Sequence, residues 1–429
     1  MLRSSMSGSH SFPLPAQYSS WPEEQRAWAE GVLLSDMGQH MPSVVVKGPD
    51  VLRLFSALAV NSFANFRKNS AKQCVFCRED GLLIGDAVVV ALEDDEYEVL
   101  GTPVNANWIR YHAELGHYNV EFTDDLPTGM NTGERRFFRY QIQGPRAIAV
   151  LERAVGGRIP EIKFFHVGEM KIAGVAVRAL NHTMSRKPGF EIFGPRAQGA
   201  MVLSVLRGAG AEFGMRESGA ISLPCNSYES GWLGLQVPAI YSGESMKPFR
   251  EWVSEYGFEG FASMGGSFPS ENIDDYYVTP WDIGYGRLVK FDHDFIGKAA
   301  LQKMATQKPR RQKVWLRWND EDVASVLARS LLGKGGRPKI LGVPYSVYST
   351  FQNDSVLFED EIVGVSVMCG YTVNVGGWSS LAVIDTRHAV DGTRVKVLWG
   401  DAKPDLRPLK AENHVLTKIG ATVSTKALA

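Results

Sequence analysis

Hydrophobic positions along the chain switch repeatedly between a helical and an extended rhythm. Val51, Leu54, Phe55 and Leu58 fall at i, i+3, i+4 and i+7, the apolar stripe of an amphipathic helix. A short apolar run, SVVVK at 43–47, precedes it as a strand, and Gly48-Pro49 joins the two. The same unit recurs. FRYQIQ at 138–143 leads through Gly144-Pro145 into a helix carrying Ala147, Ile148 and Leu151. FEIF at 190–193 leads through Gly194-Pro195 into one carrying Met201, Val202 and Val205. Proline suits the first helical position, where its missing N–H costs nothing. The first two units lie 96 residues apart, too far for a solenoid repeat. That spacing fits two related αβ lobes, each an antiparallel sheet backed by helices.

Other periodicities fill in the rest. Residues 21–34 (WPEEQRAWAEGVLL) read as a helix with Pro22 near its start, followed by a polar loop, SDMGQHM, at 35–41. Runs at 73–78, 82–92 and 96–104 form a meander with Asp80-Gly81 and Asp94-Asp95 as turns, and 167–181 forms a hairpin turning at Ala173-Gly174. Residues 279–291 lead into a helix that starts at Gly297-Lys298. After the basic, Pro-containing linker at 308–311, short strands follow at 313–318, 343–349, 361–370, 379–384 and 394–399, the pattern of a small β-barrel or sandwich. The expected class is α+β: a flexible lead-in over 1–20, two αβ lobes over 21–307 and a β-barrel domain over 308–429.

Composition narrows the function. Hydrophobic residues make up 44% of the 429, enough for sizeable cores. With 46 basic against 47 acidic residues, neither nucleic acid nor an anionic membrane is the expected partner. No run of about 18 apolar residues is present, and the N-terminus lacks the apolar core of a secretory signal. Four cysteines in so long a chain are no disulfide framework, which points to a reducing cytoplasm.

The richest chemistry lies in NSYESGWLGLQVPAIYSGE, residues 226–244. Glu229 stands among Tyr228, Trp232 and Tyr241 in a setting too apolar and Gly-rich for an exposed loop. Aromatic faces beside one carboxylate suit a flat polar heterocycle, which stacks on rings and donates ring N–H bonds. The alternative is a buried loop whose tyrosine hydroxyls simply find partners. Asp86 sits inside the apolar run LLIGDAVVV, where a carboxylate is costly without a partner. His40 lies in the 35–41 loop, either as a functional residue or satisfied by a local backbone group. Arg67 and Arg110, single cations beside aromatics, could hold a substrate carboxylate or the glutamyl tail of a cofactor, or form surface ion pairs. Metal chemistry is not expected. The CxxC at Cys74–Cys77 lies in a strand, where positions i and i+3 face opposite ways, and no second ligand pair follows. LGKGG at 332–336 lacks the phosphate-loop spacing, and no GxSxG occurs.

Taken in order, VVVKGPDVLRLFSAL, GLLIGDAVVV, YQIQGPRAIAVL, SRKPGFEIFGP, YESGW and VTPWDIGYGRLVKFDHDFIGKAAL resemble the aminomethyltransferase family, that of the glycine-cleavage T-protein. The resemblance covers nearly the whole chain. VNSFANFRK, AKQCVFC, NANWIRYHAELG, ESGW, PAIYSGE and GYGRLVKFDHDFIGK bring it closer to the tetrahydrofolate-dependent aryl O-demethylases of the vanillate and 3-O-methylgallate kind. It implies two αβ lobes around a central folate site, plus a barrel. It also implies a methoxylated aromatic substrate of lignin origin, with tetrahydrofolate as the methyl acceptor. Glu229 falls on the family's folate-binding Glu of the RLEAG motif and Glu191 on that of GFEI. Trp232 and Asn105 join them as cofactor contacts. The catalytic aspartate of a DD pair falls on Asp86, since Gly85 replaces its neighbour. The demethylases' catalytic tyrosine falls on Tyr241, with Tyr228 as the other candidate. His40, Arg110, Arg67 and Tyr228 become substrate contacts, and Met37 stands where the demethylases carry a substrate-contacting Gln. Relatives acting on methylenedioxy-arenes, methylated amines or sulfoniums, and a non-catalytic folate-binding protein, are the other readings.

Overall fold

Gly48 and Gly144 explain why the strand–Gly-Pro–helix unit recurs. Their φ angles are +141° and +126°, and a Cβ on either would come within 2.4 Å of Asn119 O or 2.5 Å of Gly31 O. Only glycine passes both restrictions. The helices Val51–Leu58 and Ala147–Val155 begin two residues after each proline, so the prolines precede them rather than open them. The third unit differs. The strand Gly189–Pro195 runs through its Gly-Pro, and a 3₁₀ turn, Arg196–Gln198, comes before the helix Gly199–Ala211.

A computed structural model describes residues 13–128, 130, 133–184, 186–402 and 411–429. The first lobe is a five-stranded antiparallel sheet in the order Ala71–Cys77, Leu83–Ala91, Glu96–Gly101, Ser43–Lys47, Glu121–Asp125. The second is six-stranded: Arg216–Glu217, Leu33–Asp36, Phe137–Gln143, Gly189–Pro195, Val175–Leu180, Val167–Ile172. All its pairings are antiparallel except the first. A closed barrel follows, in the order Arg311–Trp318, Gly377–Asp385, Glu361–Thr372, Asp354–Phe358, Arg394–Trp399, Thr417–Ser424. The α+β class and the barrel agree with the sequence.

Several elements differ from expectation. The helix read over 21–34 spans only Trp21–Glu30, and Leu33–Asp36 becomes a strand of the second lobe, so the chain enters that lobe first. The strand read as far as 104 ends at Gly101. Thr102 is extended, and Pro103 opens the helix Pro103–Leu115. The expected strand at 343–349 makes one isolated bridge, Tyr345 to Gly370. Pro344 has no N–H to give a ladder. Asp354–Phe358, Thr417–Ser424 and the helix Asp320–Leu332 were not anticipated. In the lead-in, Pro15 O and Ala16 O accept the N–H groups of Ala220 and Ile221 at 2.9 and 3.1 Å, while residues 1–12 lie outside the described ones. All four cysteines are buried thiols, Cys74 and Cys77 in different cores. No described helix is long and apolar enough to cross a membrane.

Strand alternation decides which face of each sheet is apolar. Phe138, Tyr140 and Ile142 enter the second lobe's core, leaving Arg139, Gln141 and Gln143 on the opposite face, buried all the same. A smaller cluster, including Val90 and Leu100 of the first sheet with Leu180 and Phe193 of the second, packs sheet against sheet. Polar side chains are therefore turned into the middle of the molecule.

Candidate functional site

Asp86 lies in the strand Leu83–Ala91, opposite Val75 of its neighbour, and is 9% exposed. Its Oδ2 accepts from Gln73 Nε2 at 2.9 Å, Trp232 Nε1 at 3.2 Å and the Tyr285 hydroxyl at 3.3 Å. Gln73 Nε2 also donates to the Tyr285 oxygen at 2.7 Å. Every direct partner is neutral. Burial raises the Asp86 pKa above the ordinary carboxylate range, against these hydrogen bonds and the field of Lys313. Lys313 donates to Gly231 O at 2.6 Å, and burial lowers its own pKa. Asn105 donates from Nδ2 to the Asp86 carbonyl at 2.8 Å and to Thr102 Oγ1 at 3.0 Å. A Cβ at position 85 would stand 2.4 Å from Asn105 Oδ1, so glycine there is what lets Asn105 approach.

A second cluster lies on the polar face of the other sheet. Arg139 donates to Glu191 Oε2 at 2.9 Å and to Glu98 Oε2 of the first lobe at 2.6 Å, with its guanidinium 4.5 Å from the Phe193 ring. His182 Nδ1 and Gln141 Nε2 reach Glu191 Oε1 at 3.1 and 3.4 Å. Burial would raise the Glu191 pKa. His182 and the Arg139 charge outweigh it and hold the group down to about 2. Along this face Ser35 Oγ, Gln141 Oε1 and Gln143 Nε2 are buried without partners. Leu33, at the end of the row, packs with Cys225 and Tyr228, and between those two Asn226 is buried with both amide atoms unpartnered.

The stretch 226–244 does not form one cluster. Tyr228 and Glu229 lie near Trp28 while Trp232 and Tyr241 go elsewhere, because the short helix Cys225–Ser230 ends at Gly231 in the left-handed conformation and the chain then runs without regular structure. Glu229 accepts from Trp28 Nε1 at 2.6 Å and from Asn374 Nδ2 at 3.1 and 3.2 Å, and burial raises its pKa. Trp232 goes to Asp86. Tyr228 is 1% exposed, its hydroxyl buried without a partner and its carbonyl taken by Trp315 Nε1 at 2.8 Å. Tyr241 donates to Glu259 O at 3.0 Å, and burial raises its pKa.

Met37 and His40 are both buried, and Arg139 O accepts the Met37 and Gly38 N–H groups at 2.9 and 3.1 Å. That ties the loop to the strand bearing Gln141. Arg110 pairs with Asp124 at 2.5 Å, and Arg67 is exposed. The structure thus joins Asp86, Trp232 and Asn105 by hydrogen bonds, and gives Glu191, Glu229 and Tyr241 other partners. Among the described residues no group of three or more His, Cys, Asp or Glu could hold a metal.

A family model described as the GCVT N-terminal domain matches residues 3–236. The chain belongs to the GCVT family. A syringate O-demethylase from Sphingobium sp. is 40% identical over 99% of this chain and 92% of its own. A sesamin methylene transferase from Sinomonas sp. is 29% identical over 95% and 91%. The crystal structure of the glycine cleavage aminomethyltransferase T from Bartonella henselae superposes with a TM-score of 0.63, covering 100% of this chain and 95% of that one at 16% identity, a likeness of fold.

Membership in the GCVT family makes tetrahydrofolate the ligand to test against these residues. A pterin offers several N–H donors and ring acceptors. The buried carboxylates of Glu191, Glu229 and Asp86 and the unpartnered atoms of Ser35, Gln141, Gln143 and Asn226 match that need. Gln73, Tyr285, Lys313, Glu98 and Arg139 escaped the sequence reading. Neither Glu98 in EYEVLG nor Arg139 in the alternating FFRYQIQ stood in an apolar run of the kind that flagged Asp86. Tyr285 lay inside the motif VTPWDIGYGRLVKFDHDFIGKAAL without being singled out, since a tyrosine in a Gly-rich turn has no distinguishing pattern of its own.

Proposed function

We propose that this GCVT-family chain is a tetrahydrofolate-dependent aryl O-demethylase. It moves the methyl group of a methoxylated aromatic such as syringate, vanillate or 3-O-methylgallate to N5 of tetrahydrofolate, giving 5-methyltetrahydrofolate and a phenol. The observation that carries this reading is the near full-length likeness to a syringate O-demethylase. Tetrahydrofolate is consumed as a substrate and supplies the nitrogen that accepts the methyl. Glu191, already ionised and fixed by Arg139 and His182, and Glu229 accept its ring N–H groups. Asp86, with Trp232 and Asn105 around it, stands at the reacting nitrogen. There its raised pKa suits it to take a proton. The polar loop with Met37 and His40 borders the aromatic substrate, and Arg110 or Arg67 meets a carboxylate. The enzyme belongs to the cytoplasm and to aromatic catabolism.

The test is a panel of methoxybenzoates incubated with and without tetrahydrofolate, with both products read by mass spectrometry. Methyl loss that depends on folate supports the reading, and no loss from any member sinks it. The likeness to a sesamin methylene transferase favours a second reading, with a methylenedioxy-arene as donor. Conversion of a methylenedioxybenzoate with the methoxybenzoates untouched would select it.

A further inference from the structure

We propose that Tyr285 is the proton donor to the departing phenolate oxygen and that Asp86, in direct contact with it, restores the proton. This rests on the demethylase reading. The chemistry requires such a donor, because an aryl methyl ether leaves as a poorly stabilised anion unless its oxygen is protonated as the bond breaks. Three tyrosines come into question, Tyr228 and Tyr241 of the 226–244 stretch and Tyr285 beside Asp86. The Tyr241 hydroxyl is committed to the Glu259 carbonyl within the first lobe's core. The Tyr228 hydroxyl is sealed, with a ring so tightly packed that a Cβ on Gly370 would come within 2.3 Å of it. Tyr285 alone of the three keeps its hydroxyl against a carboxylate already assigned to the reaction.

Its position is fixed from several sides. Tyr285 N–H donates to Pro280 O at 2.7 Å, and Gly284 before it takes φ +84°. After it, a Cβ at Gly286 would meet the Trp281 ring at 2.7 Å, so glycine lets the turn close on that ring. Gln73 then holds both acidic groups with one nitrogen, at 2.9 Å from Asp86 and 2.7 Å from Tyr285.

The proton count closes within this pair. The methyl carbon bonds to the acceptor nitrogen, and the C–O bond breaks with its electrons on oxygen. The Tyr285 proton goes to that oxygen, and the nitrogen's proton goes to Asp86. Asp86 then passes it to Tyr285 across the 3.3 Å contact, and both residues are as they began. The order is electrostatically sound. Burial and the Asp86 charge hold the Tyr285 pKa well above its ordinary value, so the resting tyrosine keeps its proton. Neutralising Asp86 removes that charge and eases release at the moment it is needed.

The test is Tyr285→Phe, measured by single turnover with a methoxybenzoate and with a nitro-substituted anisole, whose phenol is the better leaving group. Expected is a loss of about 10² to 10⁴ for the first and under about tenfold for the second, with calorimetric affinity for tetrahydrofolate unchanged. Equal losses on both donors, or lost folate affinity, overturn the assignment. So does a donor-selective loss in Tyr241→Phe that Tyr285→Phe lacks. Should the variant not fold, the wild-type dependence of rate on leaving-group pKa decides: shallow supports a proton donor, steep overturns it. A wild type that transfers no methyl group refutes the underlying reading and this assignment with it.

Discussion

Asp86 in the first lobe and Glu191 in the second are carboxylates on sheet strands, 9% and 8% exposed. Glu191 meets a guanidinium and an imidazole, and its pKa falls to about 2. Asp86 meets an amide, an indole and a phenol, and its pKa rises. Equal burial therefore gives opposite results, because the partners' formal charge decides whether desolvation is offset. A carboxylate clamped by charge is a fixed acceptor that exchanges no proton near neutrality. One held by neutral donors is poised to take a proton. The same fold thus keeps one carboxylate ionised in one lobe and raises the proton affinity of another in the other.

The sharpest break of this comparison is Asp86→Asn, which keeps the shape and removes the charge. Turnover should fall by about 10² to 10⁴, while the denaturant midpoint stays level or rises, since a desolvated charge has gone. A lower midpoint would make Asp86 a structural residue. Next is Arg139→Met, which strands Glu98 and Glu191 in the interior. Unfolding free energy should drop by about 3 to 5 kcal/mol, read from urea curves, and a drop below about 1 kcal/mol would mean the network is solvated.

Acid titration should separate the two groups by sign. Glu191 has a depressed pKa, so its stabilisation is complete above the unfolded value of about 4.3 and is lost as pH falls toward about 2. Arg139→Met should flatten that limb. Asp86 has a raised pKa, so it destabilises at neutral pH, and the penalty is relieved as pH falls through the raised value. Asp86→Asn should remove this opposite trend in melting temperature.

Glu229 resembles Asp86 in its neutral partners. Glu229→Ala should weaken calorimetric folate binding by about 1.5 to 3 kcal/mol, roughly tenfold to a hundredfold. Unchanged affinity would take Glu229 out of the folate site. The smallest effect belongs to Tyr241→Phe, which loses one neutral hydrogen bond to Glu259 O and about 0.5 to 1.5 kcal/mol of stability in the same urea assay.

The amino-acid sequence by itself determined what depends on local periodicity and backbone restriction. The i, i+3, i+4 stripe made Val51–Leu58 a helix, the Gly-Pro joints at 48 and 144 marked two lobes, and alternation wrote most of the barrel strands. It also flagged Asp86, since a charge within LLIGDAVVV demands partners wherever it lies. Which partners meet was decided only by the tertiary structure. Tyr285 reaches Asp86 across 199 positions and Trp28 reaches Glu229 across 201. Trp232 and Glu229, three residues apart, face different sites because Gly231 turns the chain between them. Periodicity is a property of neighbours along the chain, whereas a carboxylate's charge state is set by whatever the fold brings within hydrogen-bonding distance.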